Sequence, residues 1–199
     1  RGLGDVYKRQ ALRYYLSSIM PESSDSDFTW NSFFDSNNNE LVATFGNLVN
    51  RLQTLIKNNF NNIIPNLEKT DDVDNDMISE IKSSYDSVGN FLEKRQFRNS
   101  LKEIMNLAKL GNRYIDKKEP WSTVKSDRQI AANTLWIGAN LISNLGVLIS
   151  PFLPKTSLKI SSIFNFGSDI PKWEYREVKS GTSIVNIGPL FKKIDKEKE

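Results

Sequence analysis

Between Asn39 and about Phe60, the residues Leu41, Phe45, Leu48, Leu52, Leu55 and Ile56 recur at the i, i+4, i+7, i+11 spacing of a single helical face. A β-strand cannot keep such a stripe on one side, because its side chains alternate between faces. This segment therefore has to be a helix that buries the stripe against other elements. Asn47, Arg51 and Asn58 fall on a flank about 100° from the stripe, since each residue turns a helix by about that angle.

The same periodicity runs through most of the chain. Ala11 to Met20 is rich in helix formers, and Pro21 is a stop signal after it. The connector PESSDSDF (21–28) leads to Trp30, Phe33 and Phe34, spaced for a short amphipathic helix. After Pro65, the acidic run TDDVDND suits the positive end of a helix dipole. The helix it opens carries Ile78, Ile81, Tyr85, Val88 and Leu92, and a further stripe carries Phe97, Leu101, Ile104, Met105, Ala108 and Tyr114. Either a hairpin around Lys94 and Arg95 or one bent helix joins these two. A non-helical step is expected at residues 117–121. Ser126 and Asp127 cap a long apolar helix through Ile130, Leu135, Leu141, Leu145 and Leu148, ended by Ser150-Pro151 and Leu153-Pro154. Beyond Ile163, Gly167, Pro171, Gly181, Gly188 and Pro189 break the chain into short pieces. Trp173, Tyr175, Ile184, Ile187, Leu190 and Phe191 could pin these pieces to the bundle, and the final KKIDKEKE reads as a solvated charge run. The fold class is all-α: an antiparallel bundle of about five helices with an irregular C-terminal tail.

Cysteine and histidine are both absent. That removes disulfides, thiolate and imidazole metal sites, thiol nucleophiles and imidazole bases. The balance of 27 Lys and Arg against 24 Asp and Glu, with a pI near 9.0, permits a nucleic-acid partner without requiring one. No apolar run is long enough to span a membrane, and RGLGDVYKRQ lacks the apolar core of a signal peptide. Without an initiator Met, the chain is expected to be part of something larger. There is no internal repeat and no glycine-rich phosphate loop. From physics alone the function stays open.

Four pieces carry a resemblance to one family. ALRYYL, SDSDF and NNELVATFGNLVNR lie within residues 11–51, and NRYIDKKEPW follows at 112–121. LISPFLPKTSLKI (148–160) and GPLFKKID (188–195) complete the set. In this order they resemble the C-terminal, anticodon-binding portion of methionyl-tRNA synthetases, leaning toward the eukaryotic and archaeal branch, and they cover residues 11–195. The resemblance implies a connecting region ending over 11–37, an anticodon-binding bundle over 38–163 and a packed tail over 164–199. Residues 1–10 do not match and are read as a foreign tail; Gln10 stands where the family has an acidic residue. The HIGH and KMSKS motifs of class I synthetases are missing, as are the family's zinc cysteines. No catalytic residue and no metal ligand is therefore expected in this chain, and the catalytic domain is expected upstream.

The resemblance also assigns a site. The family reads the anticodon with an Asn and an Arg four residues apart on the first bundle helix and with a Trp after a Pro. These map onto Asn47, Arg51 and Trp121, with Pro120 supporting. Positions i and i+4 stack on one helix face and can reach one ligand. An Asn amide suits a base edge, an Arg fork suits a base or phosphate, and an unstacked loop base suits an aromatic ring. Another family Asn is replaced by Ala43. Read without the family, Asn47 and Arg51 are ordinary solvated helix residues and Trp121 a core or hinge residue. Trp30, Trp136 and Trp173 are assigned to packing.

The implied partner is a methionine tRNA with a CAU anticodon, together with the protein's own catalytic domain, in the cytoplasm and with no membrane. No cofactor is expected in this chain; the full-length ligase would use ATP and Mg to attach methionine to its tRNA, while this portion alone would be inactive. The rivals are the bundle of a cysteinyl, leucyl or valyl synthetase, and a helical protein-interaction module.

Overall fold

The computed structural model describes residues 3–22 and 25–195, with side chains from Lys8 onward. Helix α1 (Leu3–Ser18) starts well before the expected Ala11 and stops short of Pro21. The next helix runs without a break from Trp30 to Phe60, as α2 (Trp30–Asp35), a π-helical stretch (Ser36–Gly46) and α3 (Asn47–Phe60). The junction expected at 37–38 lies inside this rod. The stripe read from the sequence is the buried face: Leu41, Phe45, Leu48, Leu52 and Ile56 are each at most 1% exposed. Trp30 departs from the packing role expected of it. It is 62% exposed, although its ring lies against Phe28, Phe33 and Phe34.

α4 (Asp72–Glu93) begins at the acidic run as expected. Asp71 caps it in a reciprocal box with Asp74. The open choice at residue 94 resolves as a hairpin: Arg95 turns left-handed (φ 59°) and the Gln96 amide bonds back to Phe91 O at 2.8 Å. α5 (Phe97–Lys118) returns against α4. The step expected at 117–121 shrinks to one left-handed residue, Glu119 (φ 44°), and α6 (Pro120–Ser126) starts immediately after it.

α7 (Arg128–Leu148) is capped by Asp127, whose carboxylate accepts from the Gln129 and Ile130 amides. It is the central helix, buried on all sides from Ala131 to Leu148. Neighbours approach it where side chains are absent: a Cβ on Gly138 would lie 2.5 Å from Leu52 Cδ2, and one on Gly111 of α5 would lie 2.3 Å from Leu141 Cδ2. α8 (Pro154–Ile163) closes the helical part. The buried Gln10 of α1 donates to Thr156 of α8.

The tail then runs back over the bundle in extended form. Among the described residues there is no strand, only an isolated antiparallel bridge between Ile63 and Ser183. Asparagine side chains on the helices take the place of a neighbouring strand. Asn140 donates to Val178 O and accepts from Val178 N at 2.8 Å; Asn144 does the same for Arg176 O and N, at 3.1 and 2.8 Å. The match is geometric: four helical residues rise about 6 Å, close to the roughly 6.6 Å of two extended residues. Further along, Gln53 accepts from the Ile187 amide, and Asn38 accepts from and donates to Ile194. The solvated charge run expected at the end is thus not free from 192 to 195. Ile194 is buried with Ala11, Tyr15, Phe33 and Phe34 in a small second core. Residues 196–199 of that run lie outside the described residues. Of the expected tail anchors, Ile184, Leu190 and Phe191 are buried, while Trp173 lies over Gly89 and Tyr85.

Candidate nucleic-acid interface

The three residues singled out by sequence meet on one surface where α3, α5 and α6 come together. Glu119 ends α5 in the left-handed region and Pro120 occupies the first position of α6, where its missing N–H costs nothing. Pro120 is buried, and the ring of the next residue, Trp121, is turned outward and stays 43% exposed. The core role open to Trp121 on sequence grounds is therefore not the one it has.

Just before this step, α5 is anchored to the start of α4. Lys118 Nζ lies 2.7 Å from Asp71 Oδ2 and 2.8 Å from Asp74 Oδ1, and the Tyr114 hydroxyl donates to Asp74 Oδ1 at 2.8 Å. Burial pulls the Lys118 ammonium down, but its bonds to Asp71 and Asp74 outweigh that and raise it. The bond from Lys118 holds the Asp71 carboxyl below its ordinary value. Burial, and then the Asp74 carboxylate, push the Tyr114 phenol far up. This clamp fixes where α5 ends and hence where Trp121 begins.

Arg51 reaches from α3 to α5 and α6. Its guanidinium carbon is 5.6 Å from the centroid of the Trp121 ring, within cation–π range. One of its nitrogens bonds Asp116 at 2.6 Å and another approaches Asn112 Oδ1 at 3.4 Å. Asn112 is itself oriented: its Nδ2 donates to Thr44 O and to Ala108 O, each at 3.1 Å, so its oxygen faces Arg51. Asn47, one turn before Arg51, is exposed, and its amide has no hydrogen-bond partner among the described residues. Asn47 and Arg51 line a groove of about 530 Å³ with Ala43, Thr44, Lys109, Asn112, Arg113 and Asp116.

Asn112 and Asp116 were missed by sequence reasoning, although both lie in NRYIDKKEPW (112–121). Their i, i+4 spacing signals a shared face, but that Arg51 is what they hold is a tertiary fact. Among the described residues no group of three or more Asp and Glu side chains could hold a metal ion, and no helix is long and apolar enough to cross a membrane.

The family model for the anticodon binding domain of methionyl tRNA ligase matches residues 64–199, and that for class I (M) tRNA synthetases matches residues 2–53. The methionine–tRNA ligase of Pyrococcus horikoshii is 38% identical over 97% of this chain and 27% of its own length. That of Dehalococcoides mccartyi is 39% identical over 95% of this chain and 34% of its own length. The chain thus spans about a quarter to a third of these relatives. The ligand-free crystal structure of Mycobacterium tuberculosis methionyl-tRNA synthetase superposes with a TM-score of 0.87 at 19% identity, covering 97% of this chain and 40% of that one. The cysteinyl, leucyl and valyl alternatives fall away: the chain belongs to the methionine–tRNA ligase family, and its residues 64–199 match that family's anticodon-binding domain.

Proposed function

We propose that this domain grips the CAU anticodon of methionine tRNA through Asn47, Arg51 and Trp121, with Pro120 holding the Trp121 backbone. The observation that carries the reading is the position of Arg51. Its guanidinium sits against the exposed Trp121 ring while the unpartnered Asn47 amide lies one turn away in the same groove. An unstacked loop base laid on Trp121 would find the Asn47 amide for its edge and the Arg51 charge for its edge or phosphate. The protein this domain serves attaches methionine to its tRNA with ATP and Mg in the cytoplasm, in a catalytic domain joined to α1. The domain itself performs no chemistry.

Stacking of a base on an aromatic ring contributes about 1–3 kcal/mol in single-stranded sites. Trp121→Ala should therefore weaken binding of a CAU stem-loop about tenfold or more, since 1.4 kcal/mol is about a factor of ten. Arg51→Ala should weaken binding, and Asn47→Ala should erode the preference for CAU over another anticodon. Titration of wild type and variants against two stem-loops differing only in the anticodon tests this. Equal binding of both loops by wild type, with Trp121→Ala unchanged, would refute the reading in favour of a protein-interaction module.

A further inference from the structure

Charge is segregated between neighbouring helices. α4 carries Asp72, Asp74, Asp76, Glu80, Asp86 and Glu93 with one cation, Lys82, whereas α5 carries six Lys and Arg against Glu103 and Asp116. α3 carries Arg51 and Lys57 and no carboxylate. Interspersed signs would be the ordinary solvated surface. Four of the α5 cations, Arg98, Lys102, Lys109 and Arg113, fall within an arc of about 60° along about 22 Å of helix, given about 100° and 1.5 Å per residue. All four are exposed, and none is in an ion pair among the described residues.

This stripe is one wall of a trough whose other wall is the Trp30–Phe60 rod. Lys109 lines both the 530 Å³ groove at Arg51 and a larger one, about 790 Å³, that continues toward α1 past Lys102 and Arg98. At the Arg51 end the facing wall is Ala43, Thr44 and Asn47, which are neutral. The one carboxylate on this stretch, Asp116, is already paired with Arg51. At the far end Glu22, Asp35 and Glu40 face Arg98 and Lys102 and offset part of their charge. None of the exposed large apolar side chains lines the trough. A protein partner would need such anchors, while a phosphate backbone needs only cations at intervals.

We propose that the α5 wall is a phosphate track. Arg113, Lys109 and Lys102, in that order from Trp121, take phosphates of the RNA strand as it leaves the anticodon loop, with Arg113 and Lys109 contributing most because the one carboxylate in the groove they share, Asp116, is paired with Arg51. This rests on the anticodon reading above.

The test uses the whole 199-residue chain. A CAU stem-loop and a stem-loop with another anticodon are titrated at several salt concentrations. The proteins are wild type, Lys109→Gln, Arg113→Gln, the double variant, and Lys155→Gln on α8 as a charge control away from the trough. Each single substitution should weaken both RNAs equally, by roughly 3- to 10-fold, and lower the slope of log affinity against log salt by about one. The CAU preference should persist and Lys155→Gln should match wild type. A double variant with the wild-type salt slope would overturn the track, as would equal losses in Lys155→Gln. If wild type shows no anticodon preference while the double variant still loses its salt slope, the anticodon reading fails and the track stands.

Discussion

The bundle and the tail are held by different physics. In the bundle, apolar side chains on α3, α5 and α7 interdigitate, with backbones close enough that Gly111 and Gly138 admit no side chain. Along the tail, much of the attachment is hydrogen bonding between helix amides and extended backbone: Asn140 to Val178, Asn144 to Arg176, Gln53 to Ile187, Asn38 to Ile194. Burying apolar area is non-directional and tolerates small shifts, whereas a paired amide has one geometry. The difference teaches that the tail is specified locally, rivet by rivet, and the bundle collectively.

The largest effect should come from the bundle. Leu52→Ala removes a fully buried side chain packed on Gly138 and should cost about 2–5 kcal/mol in urea unfolding. The loss should be global, with tail and bundle unfolding together.

Asn140→Ala strands the amide and carbonyl of Val178, which is 0% exposed, and should cost about 1–3 kcal/mol. Most of this should show as local opening. Hydrogen exchange at Val178 and Arg176 should accelerate while amides of α5 and α7 keep their protection. Equal acceleration throughout would mean that tail and bundle are one cooperative unit, and the contrast would be void.

The smallest effect is a pH dependence that separates the two regions. Burial, then the Asp74 carboxylate, raises Tyr114 inside the bundle, and burial raises Tyr85, which donates to Asn144 at the tail interface. A phenol raised in the folded state stabilises fully below its unfolded value near 10, and the contribution is lost as pH climbs from there toward the folded value. At about pH 10.5 the loss from Tyr114 is about 1 kcal/mol. Tyr114→Phe should flatten the alkaline fall of global stability, and Tyr85→Phe the alkaline opening of the tail. Unchanged profiles in both variants would show that neither phenol is linked to folding. On the acid side Asp71, lowered by its bond from Lys118, contributes above its ordinary range, and that contribution is lost as pH falls through its folded value.

What could be read in advance follows the same division. The buried faces of α3, α4 and α5, and the Asp127 cap, were legible because periodicity and capping are written in consecutive residues. The tail's partners were not: nothing in the residues around Asn140 and Asn144 points to Val178 and Arg176, which come beside them only in the fold. Trp30 was misplaced because apolar neighbours in sequence do not guarantee burial. In the candidate site, Asn47, Arg51 and Trp121 were assigned by family resemblance. Spacing explained why Asn47 and Arg51 share a face, but it could not bring Trp121 under Arg51. That depends on Glu119 turning left-handed and on Asn112 and Asp116 standing opposite, which no local pattern encodes.

The π-helical stretch between Ser36 and Gly46 has a torsional consequence. Its turns are wider than α-helical ones, so the rod is underwound just before Asn47. The stretch sets the phase of everything after it: which way Asn47 and Arg51 point is fixed relative to Phe33 and Phe34, against which α1 packs. Removing one residue there would leave a helix but turn Arg51 by about 100°, away from Trp121. The rod thus acts like a keyed shaft roughly 40 Å long. It has no joint, so the angle between α1 and the reading groove is set by winding and not by the flexing of a loop.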